Sequence, residues 1–297
     1  MDNMSNKIEL VRFKAEDGVR IDGYMNKGDL KTDKILIQIH GMSSNCFKDR
    51  EKVISEKMQK IHIDSLDFNT RGSDIVRYVK YDDGRVVLGG TAFEDVEESY
   101  YDILGAIKYA ISLGYTQVFL QGHSLGATKV VYTYNKMKKE KNEYLKFIKG
   151  IILLSLVDIP EMIRENCSDE IFNYAEEKEQ KNEVLDLMPE GSFIHPISVK
   201  TFLRYAKYNE NIDFARYSNE DDVFEVLNNI DVPLFMRWGE DDILKKSAKN
   251  QVGFMRVKLR NPEHNIWYIE DTNHSYKGKE DVLAEEIKGF IDRFIKV

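Results

Sequence analysis

The sequence predicts an α/β fold: a mostly parallel central sheet flanked by helices, interrupted by a helical insertion. Three observations predict it. Short, nearly continuous apolar runs such as Ile35-Leu36-Ile37-Gln38-Ile39 suit strands buried on both faces of a parallel sheet. Such runs alternate with segments of helical apolar spacing, the pattern of βαβ units. The alternation then lapses over residues 158–229, a stretch too long for a bare connection inside a compact domain.

The chain opens with two alternating segments, 8–13 and 19–24, around the turn Glu16-Asp17-Gly18, which reads as an antiparallel hairpin. Residues 34–39 form a strand, 48–60 a helix and 61–68 a strand. Residues 92–113 read as one long amphipathic helix, with Val96, Tyr100, Ile103, Leu104, Ile107 and Ile111 on one face. A strand at 116–121, a helix at 125–137 and a strand at 150–156 follow. After the insertion, 232–237, 248–258, 265–269 and 281–295 read as strand, helix, strand, helix. Gly84, Gly89 and Gly90 read as turn residues. The insertion mixes a charge run, Glu176 to Glu183, with apolar positions such as Phe202, Leu203 and Tyr205, as amphipathic helices do. The expected organisation is a core of residues 1–157 and 230–297 with a helical cap at 158–229.

Composition narrows the function. The 297 residues are 42% hydrophobic and 32% charged, enough to fill a core. The net charge of −8 argues against a nucleic-acid partner. Cys46 and Cys167 are the only cysteines, too few for a disulfide framework or a four-cysteine zinc site. No apolar run approaches the roughly 20 residues of a membrane span, and the first residues carry no signal core. A cytoplasmic protein with no membrane partner is expected. The six histidines show no metal-ligand spacing, and no phosphate-loop or dinucleotide motif occurs, so neither metal nor cofactor is expected.

The chemistry-bearing pattern is Gly122-His123-Ser124-Leu125-Gly126, set between a strand and a helix. A sharp turn there lifts the serine hydroxyl out of the sheet, the glycines let strand and helix pass closely, and the Leu125 N–H faces a developing oxyanion. A serine hydroxyl needs a base to become a nucleophile. Two further clusters follow strand ends: Gly239-Glu240-Asp241-Asp242 and Asp271-Thr272-Asn273-His274. Open α/β sheets place their sites at such ends. Ser124, an acid, then His274 is the order of a nucleophile, its orienting acid and its base. After the strand 34–39, His40-Gly41-Met42 offers the Met42 N–H as a second oxyanion donor. His40 and His123 read as buried supports.

On these motifs the chain resembles the α/β-hydrolase superfamily over nearly its full length. The resemblance implies that fold and a serine hydrolase with a Ser124–His274–Asp242 triad. Relatives carry the acid three residues after the strand glycine, which implies Asp242, with Asp241 second. The stretch 124–132 is similar to a branch of serine hydrolases related to siderophore-ester hydrolases and feruloyl-esterase-like enzymes, from which no substrate is carried over. The expected reaction is cleavage of a carboxylic ester, or an amide or thioester, of a small-molecule acyl substrate. The alternatives are an acyltransferase and a non-catalytic binding protein of the same fold.

Overall fold

The structure, a computed structural model, describes residues 7–207, 209–244 and 246–295. An antiparallel hairpin, β1 (Lys7–Lys14) and β2 (Arg20–Lys27), leads into β3 (Lys34–Ile39), α1 (Asp49–Gln59) and β4 (Asp64–Phe68). A separate two-stranded ribbon follows, β5 (Arg77–Lys80) with β6 (Val86–Gly89). Then come α2 (Ser99–Ser112), β7 (Gln117–His123), α3 (Leu125–Lys139) and β8 (Ile148–Leu154). The insertion holds α4 (Ile159–Asn166), α5 (Asp169–Gln180), α6 (Val199–Ala206) and α7 (Glu225–Asn228). The chain ends with β9 (Leu234–Asp241), α8 (Ala248–Lys258), β10 (Asn265–Asn273) and α9 (Glu280–Ile295).

The main sheet has the order β1-β2-β4-β3-β7-β8-β9-β10. It is parallel from β4 to β10, and only β1 and β2 run against their neighbours. Alternate strand residues enter opposite layers. Ile35 and Ile37 join Val118, Leu120, Ile151 and Leu153 in a core with α2, α3 and α8. Leu36 joins Phe119, Ile152 and Phe235 under α1 and α9. Burial on both faces explains why these strands read as apolar runs. From β3 the chain steps to β4 on one side and returns to β7 on the other. Strand order therefore reverses between β3 and β7, the place where such sheets open a crevice.

Two expectations need correction. Residues 92–113 are not one helix: short 3-10 turns at Thr91–Phe93 and Val96–Glu98 precede α2. The cause is tertiary. The Ala92 carbonyl accepts from the Ser198 N–H at 2.7 Å, and Thr201 Oγ1 lies 3.1 Å from the carbonyls of Ala92 and Glu94. Backbone groups engaged by the insertion are lost to a helix ladder. Likewise, Gly89 ends a strand of the β5–β6 ribbon rather than lying in a bare loop.

The insertion shares a core with the main domain. Ile159, Ile163, Val199, Phe202 and Tyr205 cluster with Val96 and Leu125, and Met42 packs at the edge. Phe202 and Tyr205 are fully buried there. Beneath them Lys129 of α3 forms an ion pair with Glu94, both side chains shut off from solvent. This pair ties the segment before α2 to α3.

Candidate active site

Ser124 sits between β7 and α3 with φ 54° and ψ −123°, a left-handed backbone that a non-glycine residue adopts at a cost of about 1–3 kcal/mol. Its surroundings enforce the turn. A Cβ on Gly126 would lie 2.3 Å from the Ile39 carbonyl oxygen, and one on Gly122 would lie 2.3 Å from that of Gly126. The Ser124 N–H is fixed on the Leu154 carbonyl at 2.8 Å. The side chain is thereby aimed out of the sheet.

His274 and Asp242 meet because of strand register. β9 and β10 run parallel, and after an irregularity past Ile269 the pairing resumes with Asn273 beside Asp241. The next residue on each strand then faces the other. His274 Nδ1 lies 2.5 Å from Asp242 Oδ1. Asp242 Oδ1 also accepts from the Ile243 N–H at 2.8 Å, and Oδ2 from the Gly239 N–H at 3.3 Å. The Asp242 side chain is fully buried, whereas Asp241 and Glu240 are exposed, and Glu240 instead accepts from the Asp271 N–H. With Nδ1–H donated to the carboxylate, Nε2 of a neutral His274 is a proton acceptor.

The neighbouring histidines are supports. His40 Nδ1 donates to the Gly41 carbonyl at 2.9 Å, and Nε2 accepts from the Thr70 N–H at 3.2 Å. Burial, reinforced by the Lys129 charge, pushes its pKa down to about 3. A neutral His40 thus braces the loop that carries Met42. His123 Nε2 donates to the His274 carbonyl at 2.8 Å. Burial first, then the Arg50 charge, holds His123 far below the usual histidine range. Within the described residues no hydrogen bond engages the N–H of Met42 or Leu125. Both follow the strand ends at the β3–β7 reversal.

Ser124 and His274 line one cavity of about 460 Å³, with Gly41, Met42, Ser43 and His123. No hydrogen bond yet joins Ser124 to His274, a contact that often closes only with substrate bound. None of the insertion's described residues lines this cavity; its apolar residues pack with Leu125 and against Met42. Among the described residues no cluster of three or more metal-binding side chains occurs, and no helix is long and apolar enough to cross a membrane.

No protein-family model matches the chain, and no curated protein matches it. Solved structures do. The α/β hydrolase GrgF from Penicillium sp. sh18 aligns with a TM-score of 0.68 at 14% identity, covering 98% of this chain and 100% of that one. The fold is that of the α/β hydrolases. Est1E from Butyrivibrio proteoclasticus, solved with ferulic acid bound, aligns with a TM-score of 0.68 at 17% identity over 97% of this chain and 100% of its own. The esterase Pf2001 of Pyrococcus furiosus aligns with a TM-score of 0.56 at 18% identity, over 98% and 91%.

Within this α/β-hydrolase fold two buried residues carry no sequence signal. Ser155, just beyond β8 with φ 50°, places Oγ 2.5 Å from Asp242 Oδ2 and 3.0 Å from Tyr276 Oη. Tyr276 Oη donates to the Arg237 carbonyl at 2.7 Å. The Ser155 proton therefore goes to the carboxylate, the strongest acceptor in reach.

Proposed function

We propose that the chain is a serine hydrolase that cleaves a carboxylic ester through an acyl-Ser124 intermediate. One observation carries this reading: the 2.5 Å contact of Asp242 with His274, whose ring shares a cavity with the strained Ser124 turn. Likeness of fold to an esterase is in keeping with it. Neutral His274 takes the Ser124 proton on Nε2 as Oγ attacks the carbonyl carbon, and Asp242 stabilises the imidazolium. The Met42 and Leu125 N–H groups hold the oxyanion, an interaction for which a single donor contributes ~10²–10³ in turnover. Collapse expels the alcohol, which takes the proton from His274. Water then gives a proton to His274 and attacks the acyl carbon, and release of the acid returns the proton to Ser124. No cofactor enters. Residues 158–229 act as a cap whose packed core steadies Met42 and Leu125.

A fluorophosphonate probe tests the reading. Labelling of the folded protein that disappears in Ser124→Ala, together with loss of p-nitrophenyl ester hydrolysis, is the expected result. An unlabelled parent protein overturns the hydrolase reading, and labelling that survives Ser124→Ala overturns the nucleophile.

A further inference from the structure

The cavity beside Ser124 is lined mainly by polar residues. Met42 is its one sizeable apolar residue, and Lys48, Arg50 and Lys277 line it against two carboxylates, Asp49 and Glu280. Arg50 is 8% exposed. Its Nη2 group pairs with Glu51, which leaves Nε buried without an acceptor. Ser43 Oγ, in the same wall, is also buried without a partner. Buried donors in native proteins are nearly always satisfied. These two orphans belong to residues that line one cavity and lie just beneath its surface, where a turn of either side chain presents a donor to a ligand's acceptor atom. Lys48 and Lys277 make no ion pair among the described residues. The first turn of α1, with no side-chain cap, opens on the same space through Asp49 and Arg50. Its dipole and free N–H groups favour an anion.

Resting on the serine-hydrolase reading, we propose that this cavity recognises a carboxylate, so that the ester cleaved carries a second, unesterified acid group. Arg50 Nε and Ser43 Oγ donate to its oxygens, and Lys48 and Lys277 offset Asp49 and Glu280 in the same wall. The acid group belongs either to the acyl half or to the alcohol half of the ester, and the two are separable by experiment.

Two ester pairs make the separation: monomethyl against dimethyl glutarate, with the charge on the acyl half, and the butyrate ester of glycolic acid against methyl butyrate, with the charge on the alcohol half. The expected result is a preference of ~10-fold or more in kcat/KM for the charged member of one pair, weakening with added salt as partly exposed charges are screened. The Lys48→Gln/Lys277→Gln double variant should reduce that ratio, and Arg50→Gln should reduce it further. Because Arg50→Gln strands Glu51 and risks misfolding, the lysine pair carries the test. Glutarate itself, titrated calorimetrically into the Ser124→Ala protein, should bind, and more weakly when both lysines are replaced. Preference for the neutral ester in both pairs with no glutarate binding overturns the carboxylate proposal and leaves the hydrolase reading standing. If no ester is turned over and the fluorophosphonate probe leaves the protein unlabelled, the hydrolase reading falls; in either case glutarate binding then decides the anion site.

Discussion

Ser155 Oγ donates to Asp242 Oδ2 across 2.5 Å, so the carboxylate that faces His274 is held from behind by a side chain beyond a different strand, β8. A hydrogen bond to a buried charged group contributes about 1.5–3 kcal/mol. Ser155→Ala leaves the backbone in place and frees the carboxylate to turn from the imidazole. The expected outcome is a ~10–100-fold fall in kcat with KM nearly unchanged, since the bond acts on the developing imidazolium rather than on substrate binding. Steady-state kinetics beside a melting curve separates this from a stability loss, which would lower the melting temperature and spare the turnover of the folded fraction.

Asp242 and Asp241 make an internal control. One is buried on His274, and the adjacent one is exposed. Loss of the orienting acid in a serine protease costs ~10⁴ in turnover, the handicap expected of Asp242→Asn. Asp241→Asn should stay within a few-fold of the parent protein. Equal losses for the two variants would place the acid elsewhere.

The strand-and-helix frame was legible because burial on both faces leaves apolar runs, and the Ser124 turn because its glycines are sterically obligatory. The acid and base clusters were legible as strand-end motifs. The pairing of Asp242 with His274 was legible only through the family resemblance, because the residue pattern does not show the irregular pairing that sets Asn273 beside Asp241. Residues 92–98 misled because apolar spacing carries no sign that Ser198 and Thr201, a hundred residues on, take the Ala92 carbonyl. The β5–β6 ribbon buries Val79 while Tyr78 and Val86 to Leu88 remain exposed, so it has no clean alternation to read. Ser155 and Tyr276 are single polar residues whose roles arise only from tertiary neighbours.

Glycine substitutions probe the turn without touching a reacting group. Gly126→Ala would drive a Cβ to 2.3 Å from the Ile39 oxygen and 2.6 Å from that of His40, both backbone atoms that cannot step aside. A loss of more than ~3 kcal/mol in unfolding free energy is expected. Gly253, within α8, has nothing within 4 Å of the same added atom. Gly253→Ala should therefore stabilise the protein by ~0.5–1 kcal/mol through helix propensity. Urea midpoints for the two variants should move in opposite directions.

Asp158 caps α4 at the point where the chain leaves the sheet for the insertion. Its Oδ1 accepts from the Glu161 N–H at 2.9 Å, while Oδ2 is buried without a partner. Burial, only partly offset by that backbone bond, pushes its pKa up to about 7. An unfolded aspartate titrates near ~3.9, so between about pH 4 and 7 the native state holds the proton more tightly than the unfolded state does. The contribution of Asp158 to stability is thus full at low pH and is lost as pH rises through 7. Asp158→Asn keeps an oxygen for the cap and cannot titrate. Its stability relative to the parent should rise by ~1 kcal/mol or more between pH 4 and 8. Buried His40 works in the opposite sense: its lowered pKa makes its contribution present above pH ~6.5 and lost as pH falls toward 3. That dependence is common to both proteins and cancels in their difference. Urea unfolding of the pair across this range is the measurement, and a constant difference from pH 4 to 8 would show that Asp158 stays ionised in the fold.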